Sequence, residues 1–143
     1  MTTTTRLPRV HPLPTLARPG ARAVHGVGLA AAAVLGGALA FALPTVPVDA
    51  ELALLLRCMG VIKVAMALGL AGLVHWRLGS PLAPGLRAAA VGASWAAMVS
   101  GLAILQLVAL VPAALAFHAA LVAAIAVACL DRDRRSPETL RRR

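Results

Sequence analysis

Residues 88–110 read AAAVGASWAAMVSGLAILQLVAL, a run without one charged side chain. A helix needs about 20 mostly apolar residues to cross a hydrocarbon core of about 30 Å. This run is long enough, and residues 24–43, 52–74 and 113–130 qualify beside it. The first and fourth windows are also uncharged, and the second holds Arg57 and Lys63. Compact breakers lie between them. Pro44-Thr-Val-Pro47 ends the first window, the segment from Gly79 to Gly85 divides the second from the third, and Pro112 divides the third from the fourth. Proline stops a helix because it lacks a donor and clashes with the preceding turn. A single helix through both the third and fourth windows would overshoot one bilayer crossing.

The whole chain agrees with this reading. Its 143 residues are 60% hydrophobic and 13% charged, against about 45–50% and about 25% in ordinary globular domains. A chain this short cannot hide four helices apolar on every side from water. Intrinsic disorder is excluded by the hydrophobicity. A disulfide scaffold is excluded because there are only two cysteines, Cys58 and Cys129. The expected fold is an all-α, polytopic membrane protein: a four-transmembrane-helix bundle over residues 24–130, with basic tails at 1–23 and 131–143.

Positive residues set the expected orientation. Arg6, Arg9, Arg18 and Arg22 precede the first span, Arg77 and Arg87 lie between the second and third, and Arg132, Arg134, Arg135, Arg141, Arg142 and Arg143 follow the fourth. The connections at 44–50 and around Pro112 carry none. Both termini are therefore expected in the cytoplasm, N-in and C-in. Thirteen arginines against one lysine suggest a GC-rich bacterial source, hence a bacterial inner membrane. A signal peptide cleaved after Ala38-Leu-Ala40 fits less well, because its apolar stretch is too long and its polar leader unusual. The acid-free, Arg- and Thr-rich first 22 residues also share the composition of an organelle transit peptide.

The formal net charge of +9 is not a nucleic-acid footprint, because no folded basic surface lies outside the membrane. The C-terminal arginines instead suit anionic lipid at the cytoplasmic face, at about 1 kcal/mol per charge.

Membrane helices associate through small residues that let backbones approach. Such rows occur at Gly28, Ala32, Gly36 and Ala40; at Ala88, Gly92, Ala96 and Ser100 beside Ala89, Ala93, Ala97 and Gly101; and at Ala116, Ala120, Ala124 and Ala128. The second span has a less regular row, Ala65, Gly69 and Gly72, and holds the polar groups. It is expected to be surrounded by the others or to face a partner.

Charge within the span is the most informative feature. At 1.5 Å per residue, Arg57 lies ~10 Å and Lys63 ~20 Å from the start of the second span, and the two do not share a helix face. A cation near the bilayer centre costs about 2.5–3.5 kcal/mol on insertion scales. Arg57 can reach outward toward Asp49 or Glu51. Lys63 has no acid at its depth. Arg57, Gln106 and His118 fall at one depth and could form a polar layer, fixing helix register or binding an anion, a headgroup or a carbonyl.

His25 and His75 share the cytoplasmic end and are weak candidates for metal or haem ligation. They have no third ligand, so neither a metal nor a cofactor is assigned. No phosphate loop, Cys-x-x-Cys pair or intramembrane carboxylate occurs. The sequence therefore points to a non-enzymatic accessory or assembly subunit of a larger membrane complex, or to a homo-oligomer. The alternative is a transporter or ligand-binding membrane protein that uses Arg57, Lys63, Gln106 and His118 to hold an anionic or carbonyl-bearing small molecule. An intramembrane haem protein would rest on His25 and His75.

Overall fold

A computed structural model describes residues 20–140, leaving aside the side chains of 133–140. The tail expected at 1–23 falls outside the described residues up to position 19, and residues 141–143 lie outside them too. Four helices follow in order: α1 Ala21–Ala42, α2 Ala50–Arg77, α3 Pro84–Leu105 and α4 Leu110–Leu140. Each contains a stretch long and apolar enough to cross a membrane. The chain is a small integral membrane protein built as an all-α four-helix bundle.

Local chemistry places the ends. The Asp49 carboxylate accepts from the Leu52 amide at 2.8 Å and caps α2, which supplies one of the acceptors a helix start lacks. Pro84 opens α3 in the first turn, where its missing amide costs nothing. The same logic corrects the expected break at Pro112. The chain turns earlier, at residues 106–109, and Pro112 sits in the first turn of α4. The turn closes α3 with two backbone bonds, Leu107 N–H to Ile104 O at 3.0 Å and Val108 N–H to Ala103 O at 2.9 Å. This is a Schellman cap with leucine where glycine is usual. Leu107 and Ala109 accordingly stand at φ 59° and 46°, at roughly 1–2 kcal/mol each. Burial of the Leu107 side chain offsets part of that strain. The Leu107 carbonyl also accepts from Val46 N–H at 2.9 Å, and Thr45 pairs with Val108. The α1–α2 and α3–α4 connections are thus stitched together.

Up-down-up-down threading follows from the packing. One apolar cluster joins Ala21, Val74, Leu78, Ala90 and Val127, so α1 and α3 begin where α2 and α4 end. We call this the terminal end. Another cluster joins Leu39, Ala103, Ile104, Leu110 and Ala113 at the opposite end. Between them lies the central core of Ala32, Ala67, Ala97, Met98, Phe117 and Ala120.

The helix at the centre is α3, not α2. Half of its apolar window is buried, against 11–17% for the other three. It packs on α1, α2 and α4, whereas the α2 and α4 backbones do not approach each other among the described residues. Of its two small-residue rows, Ala93, Ala97 and Gly101 turn inward, while Ala88, Gly92 and Ala96 are exposed. Helix α2 meets α3 not through Ala65, Gly69 and Gly72, which are exposed, but through Gly60, Ala67, Ala71 and Val74. Positions 60, 67 and 74 repeat every seven residues, the spacing of a helix-on-helix seam. On α4 the inward face is Ala113, Phe117 and Ala120, and Ala116 and Ala128 are exposed.

Glycine makes the closest approaches possible. A β-carbon at Gly28 would overlap the Trp95 ring, and one at Gly60 would stand 2.5 Å from Leu105 Cα. The second contact is with backbone, so no rotamer change relieves it. Nothing lies within 4 Å of a β-carbon at Gly69 on the same helix. Gly60→Ala is expected to destabilise the bundle by about 1–3 kcal/mol through overpacking. Gly69→Ala is expected to be neutral or stabilising by up to about 1 kcal/mol through helix propensity. Unfolding in mixed micelles titrated with dodecyl sulfate measures both. Equal effects at the two sites would show that Gly60 does not set the α2–α3 distance.

Candidate functional site

Two cations enter the apolar part of α2, and the fold treats them differently. Lys63 is half-buried, and its Nζ stands 4.5 Å from the centroid of the Phe117 ring on α4. Phe117 is itself 1% exposed, held in the central core by its apolar neighbours. An ammonium over an aromatic face is stabilised by about 0.5–2 kcal/mol, more where water is excluded. This ring is the partner of Lys63 that depth-matching against acids could not find. Beside it lies a cavity of about 190 Å³ lined by Leu56, Met59, Lys63, Ile104, Leu110, Val111 and Ala114.

Arg57 has no such shelter. Its side chain is exposed, beside exposed Leu54 and Val61, which lie three and four residues away on the same face of α2. Asp49 is engaged as the cap of α2, and the ion pair of Arg77 with Asp131 lies at the other end of the bundle.

The layer expected of Arg57, Gln106 and His118 is not joined by hydrogen bonds among the described residues. His118 is exposed and bonds back to its own helix, Nδ1 to Ala114 O at 2.7 Å. Gln106 caps α3, and its Oε1 is buried without a hydrogen-bond partner.

His25 and His75 do come together, with ring centroids 6.0 Å apart. His25 is 1% exposed. Its Nε2 stands 3.2 Å from Ala71 O, and since a carbonyl only accepts, Nε2 carries the proton. Nδ1 has no hydrogen-bond partner. The His25 carbonyl accepts from Trp95 Nε1 at 3.4 Å, which ties α1 to α3. The geometry makes His25 a strut between three helices. No group of three or more potential metal ligands occurs among the described residues.

At the terminal end Arg77 of α2 donates to Asp131 of α4 in a partly buried ion pair. By sequence Arg77 has only a topological role and Asp131 belongs to the C-terminal tail. Both lie at the ends of spans on the same side, so depth-matching, applied there, would have found them. Arg22 lies against Gly79, at the C-terminal end of α2, where the helix dipole favours a cation.

Comparison of the chain with known protein families, curated proteins and solved structures finds no match.

If the Phe117 ring stabilises the Lys63 ammonium, the two side chains must be energetically coupled. A cycle of Lys63→Met, Phe117→Leu and the double variant is expected to give a coupling energy of about 0.5–2 kcal/mol in unfolding titrations. Additive effects would mean that the ring merely lies near the amine.

Proposed function

We propose that the protein is a non-enzymatic accessory subunit that docks on a larger membrane complex through the outer face of α2. One observation carries this reading: the exposed Arg57 guanidinium on an otherwise apolar helix surface. A cation facing hydrocarbon is costly and calls for a partner. Reaching outward to water relieves part of that cost. An acidic or amide side chain on a neighbouring helix relieves more, because Arg offers a planar fork of donors that matches a carboxylate. Leu54 and Val61 beside it would supply the apolar part of the contact. Lys63, already covered by Phe117, contributes to the internal packing of the bundle and less to docking. Gln106 and His118 lie off this face and take no part.

Photo-crosslinking in native membranes tests the reading. A probe at Leu54 is expected to form an adduct with one defined polypeptide, at least about fivefold weaker in an Arg57→Leu background, as loss of a contact worth about 1 kcal/mol implies. A probe at Ile125, on the exposed side of α4, is expected to give lipid adducts only. Equal polypeptide adducts at both positions, or recovery as a lone monodisperse monomer in mild detergent, would overturn the proposal.

The proposed location is a bacterial inner membrane with both termini in the cytoplasm. Arg22, Arg77, Arg87 and Arg132 share the terminal end, and the other end has Asp49 and Glu51. That distribution supports the orientation through the preference of cationic loops for the cytoplasm. Reporters fused at Val46 and at the C-terminus are expected to report opposite compartments. The same compartment for both would reject the topology.

A further inference from the structure

The bundle is not closed on all sides. Because α2 and α4 each pack on α3 rather than on each other, a cleft of about 380 Å³ opens between them at the terminal end. Its walls are Leu70, Leu73 and Val74 on one side and Ala124, Val127 and Ala128 on the other, with Ala90 of α3 at the back. The cleft exists because α4 sets small side chains opposite the leucines of α2. Its volume falls in the range of small-molecule sites, about 300–1,000 Å³.

The rim has a different chemistry. Trp76, Arg77, Asp131 and Arg132 all border the opening. The Arg77–Asp131 pair fixes one guanidinium at the rim, and the sequence from Asp131 onward holds six arginines against three acids. Arg22 adds a further cation nearby, against Gly79. An occupant must be apolar along most of its length, enter sideways from the bilayer, and end in an anion at the level of Trp76. Tryptophan itself prefers that level, where hydrocarbon meets headgroups.

We infer that this cleft holds one acyl chain of a glycerophospholipid with a net negative headgroup, the phosphate lying at Arg132 and Arg77. Arginine matches phosphate with paired, charge-assisted donors, and basic pockets between membrane helices are suited to anionic headgroups. A zwitterionic lipid offers the same chains but cancels its phosphate charge, so the rim discriminates against it. The inference does not depend on docking through Arg57, which lies on another part of α2.

The full chain in mild detergent, titrated with dioleoyl phosphatidylglycerol or dioleoyl phosphatidylcholine and followed by native mass spectrometry, tests this. The anionic lipid is expected to be retained at one per chain, about fivefold more tightly than the zwitterionic one, as one net surface charge implies. Arg132→Gln is expected to erase that preference. Ala124→Phe, which fills the cleft, is expected to abolish retention of both lipids. Ile125→Phe, on the neighbouring exposed position, is expected to change nothing. Equal retention of the two lipids by the unaltered chain, or unchanged retention in Ala124→Phe, would overturn the assignment. Arg132→Gln lies at the exposed rim and keeps the test valid should Ala124→Phe fail to fold.

Discussion

Close backbone approach to α3 is the constraint on which the rest of the structure depends. Lipid tails are as apolar as leucine, so no hydrophobic force drives these helices together, and contact must come from packing at short range. Helix α3 makes that contact on three sides, with Ala93, Ala97 and Gly101 facing inward and Gly28 and Gly60 of its neighbours receiving Trp95 and Leu105. Every other feature is placed by this choice. The α2 and α4 helices sit on α3 rather than against one another, which opens the cleft between them. The outer faces of α1, α2 and α4 remain apolar and uncovered, as they must where lipid is the solvent.

Polar groups then arrange themselves around that skeleton according to depth. At the terminal end Arg77 and Asp131 pair across the α2–α4 gap, so the rim is held together where the backbones are not. In the middle, Lys63 lies over Phe117, an aromatic partner that needs no second buried charge. A carboxylate there would itself have to be desolvated, and a buried ion pair often fails to recover that cost. A ring already packed in the core adds no such penalty. His25 serves a third layer, bonding Ala71 across to α2 and receiving Trp95 at its carbonyl. The connections at the opposite end are joined by the backbone bond from Val46 to Leu107 and the pairing of Thr45 with Val108.

What the sequence made legible follows from which rules are local. Four spans follow from length and hydropathy, because a bilayer has one thickness and a helix one rise. The second and third spans are expected to open at 52 and 88, and the helices start earlier, at Ala50 and Pro84, where Asp49 caps α2 and proline opens α3. The inward faces were not legible. In a chain this rich in alanine, small residues recur on every side of a helix, so Ala65, Gly69 and Gly72 look as suitable as Gly60, Ala67 and Val74. Only the neighbour decides between them. The turn at 106–109 was hidden for a related reason: its left-handed residues are leucine and alanine, not the glycine that would have announced it. Phe117 carries no charge to mark it in the sequence, yet it is the one Phe, Trp or Tyr in that span.

The two cations of α2 stand in different surroundings. By sequence alone Lys63 is the more suggestive, being deeper and without an acid. In the fold it has a ring beneath it and a helix on either side, so its position is accounted for by internal packing. Arg57 is shallower, and a shallow cation ordinarily extends to water without comment. Here Asp49 is committed to capping the helix, and the neighbours on the face of Arg57 are exposed leucine and valine. Among the described residues Arg57 makes no side-chain hydrogen bond or ion pair, whereas Lys63 has the Phe117 ring. A docking surface built around it would combine one strong directional contact with an apolar rim, the arrangement by which a few residues come to dominate an interface.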